Sequence, residues 1–329
     1  MSRYPSFQRS ISVTGQVSNM NRGAITLPSA RGTFTRPEAG YWGRNDLGGA
    51  EIGKLNFISE TTSTSSATTS TNNASYGGVA NSGTAGYYLG GYFAGPNRRS
   101  VIDKIVFASD TRSSITNLPT AVNGVTAFAN QGTAAYKPGG TNQSVTPINE
   151  IAKILFSNDT VSTLGATISE AREAQGSFGN KSVAGYVIGG TTPAVGGASQ
   201  RGDKFTFSTE TNASLGSFIS PKKRYLMSFN NDAVAGYSAG GDDNATAYAT
   251  ILKVAYSSDT LSTVSATLSV ATSNGMAGCA YVGVAGYGNV GSGQTLNKFT
   301  FSNETISTLA SSLPATISAG IAFGNSGSY

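Results

Sequence analysis

One block recurs along almost the whole of this 329-residue chain, and no other feature constrains the fold as strongly. Each copy begins with small residues, a tyrosine and glycines, as in Ala184-Gly185-Tyr186-Val187-Ile188-Gly189-Gly190. The motif tyrosines are Tyr41, Tyr87, Tyr136, Tyr186, Tyr237 and Tyr287, at intervals of 46 to 51 residues. Between 11 and 18 residues later comes a second motif, apolar-x-Lys-x-x-aromatic, followed by Ser, an acid and Thr. Ile102-Asp103-Lys104-Ile105-Val106-Phe107 with Ser109-Asp110-Thr111 is typical. The motif lysines are Lys54, Lys104, Lys153, Lys204, Lys253 and Lys298, six of the ten in the chain.

Each copy reads as four short strands. The tyrosine piece is apolar and ends on Gly-Gly, where a positive φ costs little. The lysine piece alternates with period two, so Lys104 shares a face with Ile102 and Val106 while Ile105 and Phe107 share the other. The Ser/acid/Thr piece is a turn, because these side chains bond their own backbone. A Ser/Thr/Leu strand follows, as in residues 161–168, and a fourth strand precedes the next tyrosine, as in residues 171–179. No stretch shows a helical period, so the predicted class is all-β. Four strands per copy in six copies is the arithmetic of a β-propeller with six four-stranded blades. Candidates for the inner strand number seven, from residues 30–36 to residues 317–324, so seven blades is the alternative. Strands from the two chain ends meeting in one blade would close the ring and leave no open edge. The propeller is expected over residues 24–329, behind an arm of residues 1–23 that anchors in a partner or stays extended.

The pattern resembles the kelch family. Its Gly-Gly pairs and acid-Thr turns match the kelch pattern, and the arginine of the kelch inner strand has counterparts in Arg31 and Arg172. The kelch tryptophan is missing, since the single Trp42 stands elsewhere, so the blades are kelch-like. The repeat Ile-x-Lys-Ile-x-Phe-Ser-x-Asp-Thr-x-Ser-Thr-Leu is also similar to propeller-like structural proteins of tailed bacteriophages, marine cyanophages in particular. That resemblance implies a virion component of the tail, fibre, collar or capsid surface, assembled in the host cytoplasm.

Most repeated side chains have a structural reading. Each motif lysine is expected between adjacent blades, paired with a turn acid, although a ring of ammonium groups for an anion is the functional alternative. The acids Glu60, Asp110, Asp159, Glu210, Asp259 and Glu304 supply one carboxylate per turn, too few for calcium. The motif tyrosines are expected at blade interfaces. Arg201-Gly202-Asp203 falls at a repeat position, so its match to the integrin tripeptide is read as coincidence. Cys279 is expected in an inner strand as a small buried hydrophobe.

Composition excludes several chemistries. The chain has no histidine and one cysteine, so it has no Ser-His-Asp or Cys-His dyad, intrachain disulfide, or CxxC pair. Kelch-type copper oxidases need histidine, and the turns lack the Gly and Trp of sialidase boxes; the protein is expected to be no enzyme and to carry no cofactor or metal. Only 12% of residues are charged, against about 25% in ordinary domains. The net charge of +5 is scattered, so nucleic acid is not an expected partner. No apolar run of spanning length and no apolar leader occur, so neither membrane insertion nor a secretory signal is expected.

Variation between copies points to a binding surface. The turn after the lysine strand has nearly constant length, whereas the connection from Gly-Gly to that strand varies and is long in copies two to five. Strand alternation puts these loops on one face, where per-repeat insertions form binding surfaces. The candidates there are Tyr92, Phe93, Asn97, Arg98, Arg99, Asn142, Gln143, Gln200, Arg201, Asp242, Asp243 and Tyr248. The expected function is a non-enzymatic bacteriophage virion protein that acts as an interaction or host-adhesion module. Its expected partners are other virion proteins, through residues 1–23, and a host surface glycan or protein. A cytoplasmic bacterial kelch-like scaffold is the alternative.

Overall fold

Small, β-branched and aromatic residues alternating with period two suit pleated, two-sided packing. In the computed structural model every regular element among the described residues is a strand. The structure describes residues 38–44, 49–70, 74–93, 97–193, 197–273, 277–291, 294–314 and 321–325. The arm of residues 1–23 and the inner-strand candidate at residues 30–36 lie outside them.

Among the described residues there are six antiparallel four-stranded sheets, arranged as the blades of a β-propeller. From the inside outward, blade 2 consists of Gly77–Asn81, Ala85–Leu89, Ile102–Val106 and Thr111–Ser114. Blade 3 is Phe128–Asn130, Ala134–Pro138, Glu150–Leu155 and Val161–Thr167. Blade 4 is Gly176–Asn180, Ala184–Ile188, Arg201–Thr206 and Thr211–Ser217. Blade 5 is Met227–Asn231, Ala235–Ala239, Tyr248–Ala255 and Thr260–Thr272. Blade 6 is Gly278–Tyr281, Ala285–Asn289, Thr295–Thr300 and Thr305–Ser312.

Blade 1 closes the ring. Its second to outer strands are Ala39–Gly43, Glu51–Asn56 and Thr62–Thr68, but its inner strand is Ile321–Asn325 from the other end of the chain. Tyr41 faces Phe323 across that junction. The last inner-strand candidate therefore completes the first blade, and six blades are present.

Arg172 needs a correction. The sequence placed it on an inner strand, yet the strand of blade 4 begins at Gly176 and Arg172 lies in the connector before it. Its fully buried guanidinium is paired with the fully buried Asp203 on the third strand of the same blade. The inner strand starts late because the connector first has to carry this ion pair. Asp203, the third residue of the Arg-Gly-Asp sequence, is thus an interior group.

The core is distributed between blades. One cluster joins Phe128, Tyr136 and Ile151 of blade 3 to Val187, Phe205 and Phe207 of blade 4. The glycine before each motif tyrosine explains how blades come close enough. A Cβ on Gly185 would stand 2.1 Å from the Phe128 ring of the preceding blade. Blade 3 has Ala135 at that position, and there the preceding blade presents the smaller Val79. Hole and knob change size together, as close packing demands. Cys279 is the knob that blade 6 turns towards Gly40, and it is buried. Outer strands are rich in Ser and Thr, and five of the six carry a register shift against the third strand. Bulged, hydroxylated edges discourage pairing with other chains.

Candidate functional site: two faces of the ring

The two faces are built differently. On the turn face, the repeated tyrosine, lysine and acid meet at every blade junction. Tyrosine and lysine are cross-strand partners within one blade, as Tyr87 and Lys104 are. Both reach the acid of the following blade. The six lysine–acid pairs, from Lys54–Asp110 around to Lys298–Glu60, measure 2.5 to 2.6 Å. Each tyrosine hydroxyl donates to the same carboxylate at 2.6 to 3.2 Å. Each tyrosine ring also stacks on the aromatic three residues before that acid, with centroids 5.1 to 5.5 Å apart. The aromatic-x-x-acid spacing thus presents ring and carboxylate together to one tyrosine.

The acids hold a left-handed backbone, with φ from +47° to +57°, at the tip of a turn. Burial, together with the neighbouring carboxylate, pushes all six phenols well above their ordinary range. Glu210 is held below the usual carboxylate range despite its burial, by hydrogen bonds from Lys153 and Tyr136. Bonds to a charged carboxylate contribute about 1.5–3 kcal/mol when shielded, and less at this partial exposure. With every lysine occupied in this way, the ring of ammonium groups is a set of ties between blades.

On the loop face, the Gly-Gly pair turns the chain outward and brings it against the connector that leads into the next blade. Gly139 and Gly140 have φ of +61° and +102°. The Gly140 N–H donates to the Arg172 carbonyl at 2.9 Å, and a Cβ on Gly139 would stand 2.4 Å from that oxygen. The same contact recurs from Gly91 to Val122 and from Gly190 to Lys223. Each connector therefore shows three successive residues in fixed places. Val122, Arg172 and Lys223 are buried anchors. Asn123, Glu173 and Arg224 follow at a rim, and Gly124, Ala174 and Tyr225 line the end of the central channel. The channel encloses about 200 Å³.

Lys223 is the odd anchor. Leu252 holds the place that Asp203 has in blade 4, so among the described residues the Lys223 amine donates to the Thr250 hydroxyl alone and lies 4.6 Å from the centre of the Tyr248 ring. Burial alone pushes it down to about 8, and burial pushes Lys137 to about 8 against the opposing pull of Glu150. A basic group with a lowered folded pKa holds fewer protons than the unfolded chain, whose lysines titrate near 10.5. Stability then rises with pH between about 8 and 10.5. Lys223→Met is expected to raise stability at pH 7 by about 1–3 kcal/mol. It should also remove part of the rise between pH 8 and 10.5, leaving the share of Lys137. Urea unfolding at three pH values measures both, and an unchanged pH slope would refute the assignment.

The structure gathers some loop candidates and separates others. Arg98 donates from its backbone to Gln143 at 2.8 Å and from Nε to Asn123 at 3.0 Å. Asp242 accepts from Arg224 Nε at 2.8 Å. Asn142 caps its own loop through Ser144 and Thr146. Asp243, held down to about 2, accepts from the Thr246 and Ala245 N–H groups and the Tyr248 hydroxyl. Arg99 lies over the exposed Phe93 ring at 4.9 Å. Tyr92 pairs by backbone with Ala74, and the Asn97 carbonyl accepts from Phe93. Gln200 serves through its carbonyl, which accepts from Phe218 and Ile219. Arg201 was placed among the loops but opens the third strand of blade 4, because it pairs with Ser217 of the outer strand, and its carbonyl also accepts from the buried Arg172.

Sequence reasoning missed the rim and mouth residues Glu173, Arg224 and Tyr225. A signal was available: Ser75, Gly124, Ala174 and Tyr225 each stand twelve residues before a motif tyrosine. A propeller of this build suits a protein-interaction module. The chain matches no known family model, and no match is found among curated proteins.

Proposed function

We propose that this protein is a non-catalytic interaction module of a tailed-bacteriophage particle and that it makes its contacts through the loop face. The contrast between the faces carries the reading. Six near-identical turns tie the blades together with their lysines, tyrosines and acids, which leaves those groups committed to the scaffold. The loop face varies from blade to blade and presents aromatic, amide and charged side chains. The similarity of the repeat to cyanophage propeller-like proteins supports the particle, and the lack of histidine supports a role without acid–base catalysis. Mass spectrometry of purified particles tests this. The protein is expected at stoichiometric level beside the structural proteins, and its absence from washed particles would overturn the assignment.

A further inference from the structure

Among the described residues, four connector residues at equivalent places line the loop-face end of the channel: Ser75, Gly124, Ala174 and Tyr225. Each adopts a left-handed backbone, with φ of +52°, +61°, +53° and +55°. They are joined in series by backbone bonds, from Gly124 N to Ser75 O, Ala174 N to Gly124 O and Tyr225 N to Ala174 O, at 2.7 to 2.8 Å. The conformation is uncommon for any residue but glycine and least suited to a bulky one, and three of the four are Ser, Gly and Ala. Tyr225 is the exception. A bulky side chain held there is strained, and such strain concentrates where it serves binding.

Around Tyr225 the rim alternates in charge. Arg224 binds Asp242 and stacks its guanidinium on the Tyr225 ring at 5.0 Å. Burial pushes the Glu173 carboxyl up, and the Thr141 hydroxyl together with the charges of Arg98 and Arg224 works against that rise. Each charge has an opposite neighbour, so the rim offers no net charge to an ion. It offers planar donor and acceptor groups fixed in position beside an aromatic ring.

We propose that this rim, centred on Tyr225, is a carbohydrate subsite that takes one neutral sugar residue. The proposal rests on the loop-face reading and names its ligand class. A pyranose presents neighbouring hydroxyls, each both donor and acceptor, and a face of C–H groups. Guanidinium and carboxylate planes meet adjacent hydroxyls two bonds at a time, and an aromatic ring receives the C–H face. Groups already held by one another lose little freedom on binding. A charged peptide would have to break those pairs first.

The test uses the full chain. Saturation-transfer NMR with methyl α-glucoside, methyl α-galactoside and methyl α-mannoside is combined with an array of bacterial O-chain oligosaccharides. Wild type is expected to bind at least one of them. Tyr225→Gly should weaken that binding by about tenfold or more, the loss of one aromatic contact. The same change gives the left-handed backbone its favoured residue, so the melting temperature should hold or rise. Tyr225→Phe keeps the ring and should retain binding. A purely structural Tyr225 would lower the melting temperature in the glycine variant. The proposal is overturned if no sugar binds, if the glycine variant binds as well as wild type, or if only inorganic phosphate or protein is bound. A protein that binds no sugar but is present in particles would leave the virion reading standing. One that binds sugar but is absent from particles would leave the subsite standing alone.

Discussion

A chain that ends at residue 320 is expected not to fold. The missing segment supplies the whole inner strand of blade 1, paired along Ala39–Gly43 from Asn325 to Ile321. Its Phe323 stacks on Tyr41 at 5.7 Å and packs against Tyr88 at 4.7 Å and Phe107 at 6.0 Å. The same ring fills the space over Gly86, where a Cβ would come within 1.9 Å. Phe323→Ala alone should cost about 3–5 kcal/mol. Truncation removes that contact and the strand pairing as well, which approaches the whole stability of about 5–15 kcal/mol of an ordinary domain. Circular dichroism melts and gel filtration decide the matter. A truncated chain that melts cooperatively within a few degrees of wild type would contradict this account of ring closure.

Asp203→Ala is expected to be the most damaging single change outside the aromatic core. It strands the Arg172 guanidinium, which has no solvent exposure, and also releases Ser169 N at 2.9 Å and Asn212 Nδ2 at 2.7 Å. Removing one partner of a buried pair costs about 3–5 kcal/mol. Replacing both, as Arg172→Met with Asp203→Leu, should restore most of the loss, because apolar groups of similar volume need no partner. Urea titration of the two single variants and the double variant forms the cycle. A single variant within 1 kcal/mol of wild type, set beside the usual cost of about 3–5 kcal/mol, would show that the pair is solvated. Blade 5 already carries half of the change, with Leu252 at the aspartate's place and Lys223 at the arginine's.

The repeat made the architecture legible because a propeller asks the same of each blade. Tyr186 meets the same kind of neighbours as Tyr87, so both were preserved in register and the strands between them could be counted. Closure was less legible. The strand from residue 321 completes a blade whose other strands begin at residue 39, and no period in the sequence joins them. The loop face was legible as a place but not as a set of residues. Arg98, Gln143 and Asp242 sit in the variable loops that drew notice, whereas Glu173, Arg224 and Tyr225 belong to connectors that carry no alternating pattern. What sets Tyr225 apart is a large ring where the equivalent left-handed positions carry Ser75, Gly124 and Ala174, and the shared backbone that makes them equivalent is displayed by the folded chain. Arg172 misled because an arginine beside a strand reads the same whether it lies on the strand or anchors the approach to it.

The ties on the turn face run from each blade to its successor. The acid in the turn of blade 3, Asp159, belongs by its bonds to Tyr87 and Lys104 of blade 2. Because every blade carries the same tyrosine, lysine and acid, a transplanted blade would meet equivalent partners on both sides, so the ties hold the ring together without fixing which blade stands next to which.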